Sequence, residues 1–213
     1  MPSSALIVGA GSGLSAALAR RCRDDGMAVA LAARDGARAR AVADETGATL
    51  HRCDAGSISD VAALFAALDD GPGTPDLVVY NPSVRIRKPI AELDPEETRR
   101  AIEVTCFGAF LVAQQAARRM LERGSGSIFF TGASAGVKGF ANSSVFAIGK
   151  FGLRGLAQSL ARELHPQNIH IGHFVIDGSI RSDRPGRQDD GDDGMLDPDA
   201  IAETYLQFHA QHR

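Results

Sequence analysis

No stretch of this chain approaches the ~20 consecutive apolar residues of a membrane span, so no membrane-spanning helix and no membrane partner are expected. Cysteine is scarce. Cys22, Cys53 and Cys106 are odd in number and widely spaced, which argues against a disulfide framework and for a reducing compartment. Met1-Pro2-Ser3-Ser4 runs straight into an apolar segment without a basic leader or cleavage site, so a cytoplasmic location is the expectation. The six histidines show no zinc-like spacing. His209 and His212 are three apart but have no cysteine or acidic partner at ligand spacing, and no metal site is expected. Positive charge is not in excess. With 23 Lys and Arg against 26 Asp and Glu, the net charge of −3 offers no attraction to nucleic acid. Internal repeats and interdomain linkers are absent too. The 213 residues, 44% hydrophobic and 23% charged, therefore read as one domain, 1–213, with a sizeable core.

What is present is alternation. Short apolar runs at Ala5–Gly9, Met27–Ala33, Ala48–Cys53, Asp76–Asn81, Ser127–Thr131 and Ile169–Ile176 are separated by helical stretches. That pattern predicts βαβ units with right-handed crossovers and a doubly wound parallel sheet of six strands, a Rossmann-type α/β fold. Asp94-Pro95-Glu96-Glu97 has the form of a helix start, with Asp as N-cap, Pro at the first position and Glu97 closing a capping box. This helix is expected to run to Arg123, where Gly124 stops it. Asn142–Leu164 predicts a long helix, and Asp197-Pro198 opens a last one of about twelve residues.

Gly9-Ala10-Gly11-Ser12-Gly13-Leu14-Ser15 lies between the first strand and the first helix. Glycines there permit a tight turn, let backbone N–H groups approach a pyrophosphate, and set it at a helix N-terminus with partial positive charge. Gly9, Gly11, Ser12, Gly13 and Leu14 are the candidate contacts. The spacing Gly-x-Gly-x-x-Gly fails at Leu14; Gly-x-x-x-Gly-x-Gly fits at Gly9 and Gly13, with Ser15 last. The second strand ends Ala33-Arg34. An acid there would bond the ribose 2′-hydroxyl of NAD(H); a guanidinium suits a 2′-phosphate, so NADP(H) is favoured over NAD(H). Arg38 and Arg40 could assist, or serve as ordinary solvated residues.

In order along essentially the whole chain, these residues resemble the short-chain dehydrogenase/reductase family. Gly9 to Gly13 resembles its cofactor turn, and Cys53-Asp54 after the third strand, with Ala55, its adenine contact. Asn81-Pro82-Ser83 resembles its Asn-Asn-Ala-Gly segment. Phe107-Gly108-Ala109-Phe110 lies in the expected long helix, and Lys150 sits at the lysine of Tyr-x-x-x-Lys. Gly178 and Ile180 resemble the Pro-Gly-x-Val segment, which Ser182 follows. The resemblance implies cofactor contacts at the glycine turn and at Asp54, Ala55, Asn81, Pro82, Ser83, Gly178, Ile180 and Ser182, and ribose contacts from Lys150.

The departures concern the Asn-Ser-Tyr-Lys tetrad that the resemblance implies. The tyrosine position is Phe146, the serine position Ala133 with Ser134 beside it, the asparagine position Thr105, and Asp177 replaces the proline of Pro-Gly. Phenylalanine has no proton to exchange with a substrate oxygen, and losing a general acid typically costs roughly 10²–10⁴-fold. Ser134, Ser143, Ser144, Tyr80 and Thr105 are the nearby hydroxyls, with Ser134 the foremost candidate and strand-exit capping its structural alternative. Lys150, Ser134 and Thr105 form the candidate catalytic set. Carbonyl reduction is the default reaction class. An iminium ion needs no prior protonation, and a polarised alkene can take its proton later from water. The other reading is a cofactor-binding sensor or partner subunit without turnover.

Residues 181–196 are rich in Asp, Gly and Arg and read as a mobile loop, by position a substrate lid. Seven Asp in or beside it make an acidic rim that would disfavour anionic substrates, or simply keep a loop soluble. Ala147, Gly149, Gly152 and Gly155 allow close helix approach, consistent with a homodimer or homotetramer through the long helices. A seventh strand, which the resemblance would add, has no counterpart, leaving a sheet edge exposed or covered by a partner.

Overall fold

The computed structural model describes residues 3–188, 191 and 194–211, apart from the Arg38 side chain. Six parallel strands lie in the order β3-β2-β1-β4-β5-β6: β1 Ser4–Val8, β2 Ala28–Ala33, β3 Thr49–Arg52, β4 Leu77–Tyr80, β5 Gly126–Thr131 and β6 Ile169–Phe174. Helices α1 Leu14–Asp24, α2 Gly36–Thr46, α3 Ile58–Asp69, α4 Pro95–Ile102, α5 Gly108–Arg123, α6 Ser144–Leu164 and α7 Pro198–Ala210 connect or follow them. The doubly wound, Rossmann-type sheet read from the sequence is what forms.

Every residue of β1, β4 and β5 is buried, because helices cover both faces of the sheet. Period-two alternation assigns each side chain to a face. Leu6, Val8, Val78, Tyr80, Ile128 and Phe130 pack towards α3, α5 and α6. Ala5, Ile7, Leu77, Val79 and Phe129 pack towards α1 and α7. On that second face Tyr205 of α7 stacks on Phe174 with ring centroids 3.6 Å apart, and its hydroxyl lies 3.0 Å from Thr131 Oγ1. Strand order reverses between β1 and β4, whose register pairs Val8 with Tyr80. A crevice opens at the carboxyl ends of strands that diverge in this way.

Helix starts follow their caps. Ser57 Oγ accepts from the Asp60 N–H at 3.2 Å, Asp94 Oδ1 from the Glu97 N–H at 2.8 Å, and Asp197 Oδ1 from the Asp199 N–H at 3.0 Å. The expected capping box is only half made. The Glu97 carboxylate faces the Lys88 ammonium at 3.7 Å, an opposite charge that draws it away from the Asp94 N–H.

The helix expected over 94–123 is interrupted by a π-helical segment, Glu103–Phe107, between α4 and α5. Such a widened turn releases a backbone carbonyl from the helical ladder. Val104 O accepts the buried Tyr80 hydroxyl. Gly108 is required immediately after it, because a Cβ there would lie 2.4 Å from Ala55 O and 2.5 Å from Tyr80 Oη. Gly149 and Gly152 of α6 meet the same segment: a Cβ would sit 2.8 Å from Thr105 Cβ and 2.6 Å from Cys106 Sγ. Two of the small residues expected to bring copies together therefore serve packing inside the chain. Of the three glycines of α6, Gly155 alone has open space around the Cβ direction.

Candidate active site

The crevice begins at the turn Gly9–Gly13. The Gly9 and Ala10 N–H groups both donate to Ala32 O, at 2.8 and 3.1 Å, pinning the turn to β2. Gly9 has φ +86°, and a Cβ would lie 2.8 Å from Pro82, so this position takes glycine for conformation and for space. The Ser15 hydroxyl donates to Gly9 O at 2.9 Å and accepts from the Asn81 amide at 2.8 Å. The Asn81 N–H donates to Val8 O at 3.0 Å. Asn81 and Pro82, expected to touch a cofactor, thus first of all buttress the glycine turn.

Among the described residues no acceptor meets the N–H groups of Gly11, Ser12, Gly13 and Leu14. Four adjacent donors at a helix N-terminus suit an anion. Beyond Gly11 the space is open, the nearest atom to a Cβ being Arg184 Nη2 at 4.0 Å. Gly13 lies beneath Ser182, whose Cβ is 3.2 Å from a Cβ built there. A cleft of about 310 Å³ between these segments is lined by Ser12, Arg20, Arg181 and Ser182 among others. The donors, the bare glycine floor and the flanking guanidinium fit a dinucleotide pyrophosphate.

Arg34 stands exposed just past β2 and forms no ion pair among the described residues. The Arg40 side chain is exposed on α2, and the Arg38 side chain lies outside the described residues. Asp54 is more constrained than the sequence suggested. Its Oδ1 accepts the Gly56 N–H at 3.0 Å and its Oδ2 pairs with Arg100 of α4. Arg100 lies 46 residues from Asp54, and no local pattern marks it.

At the opposite end Lys150 is 2% exposed and donates to Thr131 O at 2.7 Å. Burial pushes its ammonium down to about 8. Phe146 lies one turn before it, with the Lys150 Nζ 5.7 Å from its ring centroid and the Arg85 guanidinium 5.5 Å away. Lysine and aromatic ring therefore share one side of α6, as their four-residue spacing predicts. The candidate hydroxyls divide sharply. Thr105 is 1% exposed and its Oγ1 accepts the Val84 N–H at 3.1 Å, so it is committed to holding a loop. Tyr80 is buried, bonded to Val104 O, and its phenol is pushed up by burial. Ser134 is half-buried in a short 3₁₀ turn after β5, and its hydroxyl makes no hydrogen bond among the described residues, so it caps nothing. Ser143 precedes α6 without a side-chain cap bond.

The segment after β6 has a structured root. Ile180 bridges to Leu196, the Arg181 N–H donates to Leu196 O at 3.0 Å, and the Leu196 N–H donates to Ser179 O at 2.8 Å. Gly178 admits Leu196, whose Cδ1 would be 2.8 Å from a Cβ. Of the acidic rim, Asp197 pairs with Arg181 at 3.0 Å, while Asp189, Asp190, Asp192 and Asp193 lie outside the described residues. No helix among the described residues is long and apolar enough to cross a membrane, and no cluster of three potential metal ligands occurs among them.

This fold and crevice are those of the short-chain dehydrogenases, and the chain belongs to that family: a match to "short chain dehydrogenase" spans residues 3–186. It is similar to the 3-oxoacyl-[acyl-carrier-protein] reductase MabA of Mycobacterium tuberculosis, 29% identical over 84% of this chain and 70% of the relative. Among solved structures, a short-chain dehydrogenase from Rhodopseudomonas palustris is 31% identical, with a TM-score of 0.84 over 99% of this chain and 92% of that one. A metagenomic short-chain oxidoreductase in complex with NADP is 26% identical, with a TM-score of 0.85 over 99% of this chain and 91% of the other.

Proposed function

We propose that this chain is an NADP(H)-dependent oxidoreductase that exchanges hydride with a small carbonyl, imine or enone substrate through a modified proton relay. The observation that carries the reading is the row of unpartnered N–H groups from Gly11 to Leu14, floored by glycine and faced by Arg184. Gly9, Gly11, Ser12, Gly13 and Leu14 hold the pyrophosphate, Asp54 and Ala55 border the adenine, and Arg34 binds the 2′-phosphate. Asn81, Pro82 and Ser83 back the turn, and Gly178, Ile180 and Ser182 cover it. A solved relative with bound NADP supports this preference.

When bound, the cofactor supplies or accepts the hydride. Lys150 orients the ribose. Phe146 walls the reacting end and excludes water. Ser134, whose hydroxyl is uncommitted among the described residues, hydrogen-bonds the substrate oxygen, with Thr105 acting through the Val84 loop. The 181–196 segment is the lid. Exposed Phe107, Phe110, Ile148 and Phe151 on α5, α6 and the π segment favour a homo-oligomer through these helices. Three free cysteines fit a reducing compartment such as the cytoplasm.

The test is NADPH oxidation against a panel of ketones, imines and enones. Turnover of at least one class supports the reading; a flat response from folded, cofactor-loaded protein overturns it. That Lys150 is bonded to Thr131 O and faces the Phe146 ring, which has no proton to exchange, favours one second reading, a cofactor-binding sensor or partner subunit.

A further inference from the structure

The segment Ser83–Pro89, which leads away from β4, is tied down at two points. The Val84 N–H donates to Thr105 Oγ1 at 3.1 Å, and the Lys88 N–H donates to Asn142 O at 3.1 Å. Between these anchors burial alternates: Val84 and Ile86 are half-buried, Arg85 and Arg87 exposed. That is the period of extended backbone, so the anchors decide where Arg85 points. Its guanidinium lies 5.5 Å from the Phe146 ring centroid, and Lys150 Nζ lies 5.7 Å from the same centroid.

Two cations thus share one aromatic ring, and among the described residues neither has a carboxylate partner. A guanidinium over a ring keeps its N–H donors in its own plane, free to bind oxygens in a forked geometry. The cofactor's phosphates belong at the glycine turn, at the other end of the crevice. An anion drawn to Arg85 is therefore the substrate's own.

We propose that Arg85 is the substrate-anion receptor of this site, and that the chain acts on oxo or hydroxy compounds whose anionic oxygens, carboxylate or phosphate, lie a few bonds from the carbon that exchanges hydride. This inference rests on the redox reading above, because that reading puts the reacting carbon beside Phe146. It also reverses the charge preference suggested by the acidic loop: the charge next to the reacting end is positive.

The experiment measures binding to the NADPH-loaded protein by calorimetry, independently of turnover. The probes are pyruvate, 3-oxobutanoate and 4-oxopentanoate, each against its methyl ester, with dihydroxyacetone phosphate against dihydroxyacetone as the phosphate arm. At least one acid binds roughly 10–100-fold tighter than its neutral partner, as a charge-assisted pair predicts. Which arm shows the larger ratio identifies the anion. The ratio collapses towards one in Arg85→Met and is partly kept in Arg85→Lys. Absence of any preference, or a preference that survives Arg85→Met, overturns the inference. An acid preference without NADPH oxidation removes the enzyme reading and leaves the receptor in place; NADPH oxidation without an acid preference does the reverse.

Discussion

The Asn81 amide donates to the Ser15 hydroxyl at 2.8 Å, linking the end of β4 to the first turn of α1 across the switch point of the sheet. Ser15 passes the link on to Gly9 O at 2.9 Å. Asn81→Ala removes the donor, and a net loss of about 1 kcal/mol in urea denaturation is expected. Because the whole turn loosens, affinity for NADPH and NADH should fall by the same factor in fluorescence titrations. A selective loss for one cofactor would contradict a purely supporting role.

Arg34 makes the opposite prediction. If its guanidinium meets a 2′-phosphate, Arg34→Ala raises the Kd for NADPH roughly 10–100-fold, the worth of a charge-assisted bond, and leaves NADH nearly unaffected. Equal effects on both cofactors would remove Arg34 from the phosphate site.

Phe146 faces Lys150 with no proton to share. Phe146→Tyr places a phenol beside a buried ammonium, which lowers the phenol's pKa. Carbonyl reduction should rise roughly 10²–10⁴-fold in kcat/KM if the remaining groups await only a general acid. A fall from an existing activity would instead mark a site rebuilt around the phenylalanine.

Lys150 links the site to stability. Its folded value of about 8 lies below the ordinary 10.5, so between these values the unfolded chain binds more protons than the folded one. The cost of the buried charge is full below pH 8 and is relieved as pH rises through that window. Parent stability minus that of Lys150→Met should grow by up to about 3 kcal/mol from pH 8 to 10.5, at about 1.4 kcal/mol per unit. Urea titrations at four or five pH values measure this, and a flat difference refutes it.

Phe110 and Phe151 are 41% and 46% exposed on α5 and α6. Phe110→Glu with Phe151→Glu should shift a native oligomer to monomer in sedimentation velocity without lowering the melting temperature of the isolated fold by more than a few degrees. An unchanged sedimentation coefficient would place the contact elsewhere.

Local chemistry made much of this legible. The strand runs, the caps at Asp94 and Asp197, and the glycine turn are set by residues close in sequence, and each appears where the sequence puts it. The π segment was not legible, because it forms to meet the Tyr80 hydroxyl 24 residues upstream. Nor was the use of Gly149 and Gly152, which looked like a surface for another copy until Thr105 and Cys106 were seen against them. Ser134 shows the same limit in reverse: its place after β5 was readable, while its uncommitted hydroxyl is a fact of packing.

By itself the sequence determined the doubly wound sheet, the glycine turn between its first strand and first helix, and the phenylalanine one helical turn before Lys150, since each is a matter of residue type at a fixed local spacing. Only the tertiary structure decided that Arg100 engages Asp54, that Thr131 O holds Lys150, and that Arg85 lies over Phe146. These contacts join separate elements of the fold. Their partners meet only when the sheet stacks its strand ends together, and no local rule of propensity or charge encodes that meeting.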